Sequence, residues 1–355
     1  MHAHWLRILL VCGTVAPAAC AHGTQPQSPV AAAEHVFTVV SDTLLIDTTY
    51  HSMEGPSHQV RFTMSTSERV DTLWITGITA EVVAPDLTPV PVEFFCHANL
   101  DYDPDVHRRL FNTNRMTSSR LFTLSQGHEA MRFPDGFGIP VRSDEPLSLT
   151  TQVLSNNGVE ADKQVRVRIR VHYVRKGERP MKSLAMTSAA SIVSTDGHQG
   201  HYGMSADHHA GHSMNGVSKG GMEYRDSLGQ KFSGHWVVPP GKQSVRTVVT
   251  KWMNLRSDAD VHYIGVHVHP FAQRITLRDL TTGKDVFTSL VQPMEGRVGI
   301  SKVTDFTSTR GVRLHAKHDY ELIADYDNPT TAPVDAMAVL FLYIRDTELA
   351  SVVER

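Results

Sequence analysis

Hydrophobic alternation with a period of two residues is what most limits how this chain can fold. Over residues 165–174, Arg166, Arg168, Arg170 and His172 alternate with Val167, Ile169, Val171 and Tyr173. Side chains on a strand point to opposite faces in turn, so this pattern specifies a half-buried strand with His172 on its arginine face. Thr72–Val83, 90–96 and 147–154 carry the same signal, as do 246–255, 262–269, Ala272–Asp279, 313–315, 321–326 and 336–344. Turn residues separate them: Pro239-Pro240-Gly241, Thr282-Gly283-Lys284 and Asn328-Pro329. Helical periodicity is nearly absent, and only 105–116 suits a short helix. The expectation is an all-β chain of two tandem β-sandwich, jelly-roll-like domains, 36–176 and 228–348.

Composition removes several function classes. The 355 residues are 41% hydrophobic, enough for ordinary cores and too much for a disordered chain. Lys+Arg 34 against Asp+Glu 37 gives a net charge of −3, so a nucleic-acid partner is not expected. Three Cys exclude a disulfide scaffold. The 21 His, against 24 Gly, are the compositional excess that needs an explanation.

The first 21 residues read as an address. His2, His4 and Arg7 precede an apolar stretch and the small-residue run Ala16-Pro17-Ala18-Ala19-Cys20. This is the layout of a secretory signal. Cys20 matches the bacterial lipoprotein cleavage position, with Pro17 as a departure from it. The competing cut, after Ala21, leaves His22 as a free N-terminus. Both readings export the chain to the periplasm or outer cell envelope, and the first anchors it there by lipid. No later run approaches the ~20 apolar residues of a membrane span, so membrane contact is expected only through that anchor. Residues 22–35 read as a tether. Over 177–227 the strand pattern fades and Gly, Ser, Ala, Met and His dominate, the composition of a connection between domains.

Three groups of residues can carry chemistry. In Val266-His267-Val268-His269-Pro270 the two imidazoles share one strand face and are close enough to share an ion. Val266 and Val268 face the other way. The plainer alternative is two surface histidines on a half-exposed strand. His262, five residues before His267, belongs to the opposite face unless a bulge intervenes. The second group is the 198–214 loop, with His198, His201, Met204, His208, His209, His212 and Met214 in seventeen residues. Imidazole suits Cu, Zn and Ni, and thioether sulfur favours Cu(I). A flexible polar linker is the alternative there. The third is Cys96-His97 at a strand end, where a regular strand points the two side chains opposite ways. A buried Cys beside a hydrogen-bonded His is its plain reading. Whether His97, His107 or His128 joins Cys96 in a second metal site stays open.

The second half resembles a known family. Trp236-Val237-Val238-Pro239-Pro240-Gly241-Lys242, then 262–279 with His267-Val268-His269, then Asp335-Ala336-Met337-Ala338-Val339 follow the order and spacing of the catalytic domain of copper type II, ascorbate-dependent monooxygenases. That family includes peptidylglycine α-hydroxylating and dopamine β-monooxygenases, and this chain looks like a divergent bacterial-type member. The resemblance implies two facing β-sandwiches and a copper held by His267, His269 and Met337. Two imidazoles and a thioether stabilise Cu(I) and leave positions open for dioxygen. The departures are specific. Cys96-His97 stands where the family has two adjacent His for an electron-transfer copper, and Leu154 stands at that copper's third His. Gly265 replaces a substrate-binding Arg, and Val339 and Phe341 replace an Asn and a Tyr. A peptidylglycine substrate is therefore not expected. The expectation is an exported copper-binding protein hydroxylating some substrate at a single copper, with electrons from an external reductant. The alternative is a non-enzymatic copper-sequestering or delivery lipoprotein of the cell envelope.

Overall fold

The computed structural model describes residues 34–50, 53–65, 69–113, 118–157, 162–197, 200–204 and 223–354. Strands dominate, and the sheets stack in pairs about two apolar cores, so the chain is an all-β sandwich protein. A ten-stranded sheet runs through the whole unit in the order His35–Val40, Lys163–Arg175, Thr72–Val83, Phe137–Arg142, Lys182–Ala190, Ala338–Arg345, Ala259–Val268, Phe306–Leu314, with Leu44–Ile46 and Ala130–Arg132 as side branches. Its halves meet at a short parallel pairing, Lys182 with Phe137 and Ser183 with Gly138.

The first core lies between the early strands of this sheet and a four-stranded sheet of Ser57–Phe62, Leu147–Val153, Phe95–Tyr102 and Arg120–Ser125. Alternation explains it. Val165, Val167, Ile169 and Val171 of the arginine-bearing strand are at most 2% exposed, while Arg168 and Arg170 reach out to Glu81. His172 departs from its expected solvated place. The pairing of its strand slips between His172 and Tyr173, and the ring is buried against Arg132, 2.9 Å away, and Glu34. The second core lies between the late strands and a five-stranded sheet of Gly241–Val248, Tyr320–Asn328, Ala272–Asp279, Lys284–Pro293 and Ile300–Val303.

Ala259–Val268 and Ala338–Arg345 are buried on both faces, as their near-continuous apolar runs require. Val261, Ile264, Val266, Val268, Leu340 and Leu342 enter the second core. Tyr263, Val339, Phe341 and Tyr343 enter the first. One face of this strand pair therefore looks across to the N-terminal half, and that face carries the His-x-His pair.

The stretch 177–227 is not wholly a connection. Lys182–Ala190 is a strand inside the large sheet, paired along seven residues with Ala338–Arg345. Its Ser, Ala and Met residues have little intrinsic strand preference, but burial between neighbours overrides propensity. The expected helix at 105–116 is Pro104–Phe111. Asp103 caps it by accepting from the N–H groups of Asp105 and Val106, and Asn112 ends it in the left-handed region at φ 48°.

Candidate functional site: a buried histidine cluster

The His-x-His strand is not regular. The pairing of Ala259–Val268 with both neighbours slips between Val261 and Tyr263, leaving His262 as the extra residue of a β-bulge. The His262 ring stacks on Phe137 at 4.1 Å, with Nδ1 2.9 Å from the Ser308 carbonyl, and takes no part in the site. From Tyr263 onward parity is strict, so Tyr263, Gly265 and His267 share the face turned to the first core. His267 lies opposite Val339. His269 follows just past the strand end, where its N–H donates to the Met337 carbonyl at 3.2 Å. Val266 and Val268 face the second core, as strand parity requires.

His267 and His269 are 8% and 6% exposed, which removes the alternative of two surface histidines. Their ring centres are 5.5 Å apart, edge to face. Two further imidazoles stand beside them. His235 lies 5.6 Å from His269, and His97 lies 6.3 Å from His267. The Asp335 carboxylate is 3.0 Å from Nδ1 of His269. Two imidazoles on one tetrahedral ion have ring centres roughly 5 Å apart, given a metal–nitrogen distance of about 2 Å, so these spacings are of the right scale. The rings stand edge to face rather than converging. Among the described residues no three His, Cys, Asp or Glu side chains already meet around one point.

Each element brings its residue for a local reason. His235 precedes the short strand Trp236–Val238, which pairs with Val334–Ala336 so that Trp236 faces Ala336. Fully buried Trp236, edge-on to Tyr326 at 5.8 Å, anchors this pairing. Met337 occupies the break between Val334–Ala336 and Ala338–Arg345, and its carbonyl also accepts from the Tyr326 hydroxyl at 2.7 Å. The Met337 side chain is half-buried against the first core. His97 comes from the other half. The pairing of Phe95–Tyr102 with Leu147–Val153 slips between Phe95 and His97, so Cys96 is the extra residue of a bulge. That bulge undoes the opposite-face expectation for Cys96 and His97, whose Sγ and Nδ1 are 3.1 Å apart.

Burial sets the charge state of the cluster. It pushes His97 and His235 down to about 4 and His267 well below the ordinary imidazole value. Arg120 and neighbouring imidazoles push His97 and His267 further in the same direction. Burial, with the Asp335 carboxylate, pushes the Cys96 thiol up to about 12. At neutral pH these three rings are neutral and their lone pairs are available. Both nitrogens of His235 and Nδ1 of His267 are buried without a hydrogen-bond partner. Buried polar atoms are normally paired, and an unpaired one calls for an explanation such as an ion.

Most other predicted residues stand apart or lie outside the described residues. His107 is sandwiched between Tyr102 and Phe111 and bound to Glu145 at 2.8 Å. His128 faces the Tyr263 hydroxyl at 2.9 Å, and that hydroxyl donates to Asp305 at 2.7 Å. Of the second group, His201 is buried, with Nδ1 accepting from the Val248 N–H at 3.4 Å, and the Met204 carbonyl accepts from Gln230. His198, His208, His209, His212, Met214 and Cys20 lie outside the described residues. The sequence reading missed His235 and Asp335 as site residues. Their signal was faint: His235 immediately precedes the Trp236 to Lys242 run, and Asp335 opens the run containing Met337.

Gly265 also acquires a physical reason. A Cβ at that position would stand 3.1 Å from Cε1 of His128, so the ring occupies the space a longer side chain would need. Gly265→Ala is expected to lower stability by about 1–3 kcal/mol through overpacking, read from urea unfolding. An unchanged midpoint would mean that the His128 ring gives way freely.

Two cavities lie away from the cluster. One of about 630 Å³ is bordered by Ala185–Ser188 and 251–260, and one of about 450 Å³ by Val70–Thr72 and Leu110–Asn112. Neither is lined by a residue of the histidine cluster.

No protein-family model matches the chain, and no curated protein matches it either. Among solved structures, similar chains include the major capsid protein P2 from Bacteriophage PM2, at 8% identity and a TM-score of 0.30 over 86% of this chain and 97% of that one. The Cowpea mosaic virus top component gives 10% identity and a TM-score of 0.32 over 85% of this chain and 90% of that one. At such values these likenesses carry no functional argument.

Proposed function

We propose that this chain is an exported copper-binding protein that holds the metal in the buried histidine cluster, serving copper sequestration or delivery in the cell envelope. The observation that carries the reading is the run of four buried imidazoles, His97, His267, His269 and His235, each within 6.3 Å of the next. The neutral rings of His235 and His267, with their unpartnered nitrogens, suit copper among the available divalent metals, since nitrogen sites favour it over its neighbours in the series. His267 and His269 are the primary ligands, with Met337 beside them as the resemblance implies. When bound, copper supplies one-electron redox chemistry and a position for dioxygen.

Burial favours holding over turnover. His267 and His269 are each under a tenth exposed, which suits retaining an ion more than presenting it to a bulky substrate. Copper stoichiometry on the purified mature chain tests the proposal. Wild type is expected to bind one ion tightly, and His267→Ala/His269→Ala to lose it. A chain lacking 198–214 is expected to keep it while losing weaker equivalents. If the double variant retains every tight copper, the assignment of the cluster is wrong. Reductant-dependent oxygen consumption by the loaded wild type would move the reading to a monooxygenase.

A further inference from the structure

We propose that His235 is a third imidazole ligand of this centre, making it a His235–His267–His269 site oriented by Asp335 instead of a two-histidine, one-methionine site. The inference rests on the copper reading above and deepens it. Neither ring nitrogen of His235 has a hydrogen-bond partner, although the residue is only 2% exposed. Leaving two polar atoms dry is costly unless something else satisfies them. The ring stands beside the cluster, its centre 5.6 Å from that of His269 and tilted 47° to it.

The backbone explains why it can reach. Trp236 pairs with Ala336, so His235 leaves its strand beside Met337, and the Met337 carbonyl is the group that accepts the N–H of His269. Three segments thus meet at one residue, and two of them deliver an imidazole. Asp335, one residue before Ala336, lies 3.0 Å from Nδ1 of His269. A carboxylate on the Nδ1 side of the ring leaves Nε2 as the nitrogen for an ion, the usual arrangement around metal-bound histidines. Three imidazoles are a harder donor set than two imidazoles and a thioether, so the site favours Cu(II), and Zn(II) as a competitor, over Cu(I).

Cu(II) titration with electron paramagnetic resonance on the full mature chain tests this without recourse to activity. Wild type is expected to show hyperfine coupling to three imidazole nitrogens. His235→Ala and His235→Gln are expected to show two, with Cu(II) affinity lowered about 100-fold, the upper end of what loss of a mere outer-shell partner costs. Met337→Leu is expected to leave Cu(II) affinity within about twofold of wild type. Should the third nitrogen persist in both His235 variants and vanish in His97→Ala, His235 is not a ligand. Two nitrogens in wild type, with copper still lost in the His267/His269 variant, would likewise overturn the role of His235 while sparing the copper reading. A wild-type chain that binds no Cu(II) overturns both.

Discussion

Lowering the pH from 7.5 to 5 is expected to remove at least about 6 kcal/mol of stability from the chelator-treated protein. Burial pushes His97, His128 and His235 each down to about 4, against an ordinary value near 6.5. Above pH 6.5 the rings are neutral in both folded and unfolded chains, and they contribute no pH dependence. As the pH falls below 6.5, the unfolded chain takes up protons that the folded chain refuses. Each ring then costs about 1.4 kcal/mol per pH unit until its folded value near 4 is reached. At pH 5 that is about 2 kcal/mol per ring. Three rings remove a large part of the 5–15 kcal/mol that holds a typical domain folded. Urea unfolding at the two pH values measures it. His128→Phe should weaken the dependence by about 2 kcal/mol, the share of one ring, and that ring bonds to Tyr263 outside the cluster. Equal midpoints at pH 7.5 and 5 would mean that these rings are not buried as described.

Trp236→Ala should be the most damaging single core substitution near the site, at about 4 kcal/mol. Truncating a buried aromatic side chain typically costs 3–5 kcal/mol, because the cavity collapses only in part. Trp236 is fully buried and edge-on to Tyr326. It also holds the Trp236–Val238 pairing to Val334–Ala336; His235 immediately precedes the first of these short strands and Asp335 is the middle residue of the second. The substitution should therefore weaken copper binding as well as folding, whereas Trp236→Phe should restore most of both. Denaturant unfolding gives the first effect and Cu(II) titration below the unfolding transition gives the second. A stability loss below about 1 kcal/mol would contradict the packing described for this residue.

Much of the fold was legible because strand burial has a period of two. Thr72–Val83 and Ala272–Asp279 begin and end where alternation places them. Lys182–Ala190 was hidden, because its small residues carry no pattern and its place in the sheet depends on partners more than a hundred residues away. The bulges at His262 and Cys96, and the slip that leaves Thr76 unpaired opposite His172 and Tyr173, were hidden for a related reason. A register slip is a property of two strands, and one strand's sequence does not display it. Cys96 and His97 were consequently expected apart and lie in contact, whereas His172 keeps the arginine face and is buried there by Arg132 and Glu34.

By itself the sequence determined the all-β class and the common face of His267 and His269, because both follow from the alternation of side chains along one strand. Tertiary structure decided which way that face looks, since the two strands bearing it are apolar on both sides and pairing selects their neighbours. It also decided that His97, from a strand far away in the chain, and His235, from an unpatterned strand end, join the same cluster. Contacts of that kind depend on distances between segments, which local periodicity does not encode. The histidines that composition marked as excess are thereby separated into a buried cluster of four and others with partners of their own, such as Glu145, Tyr263 and Ser308.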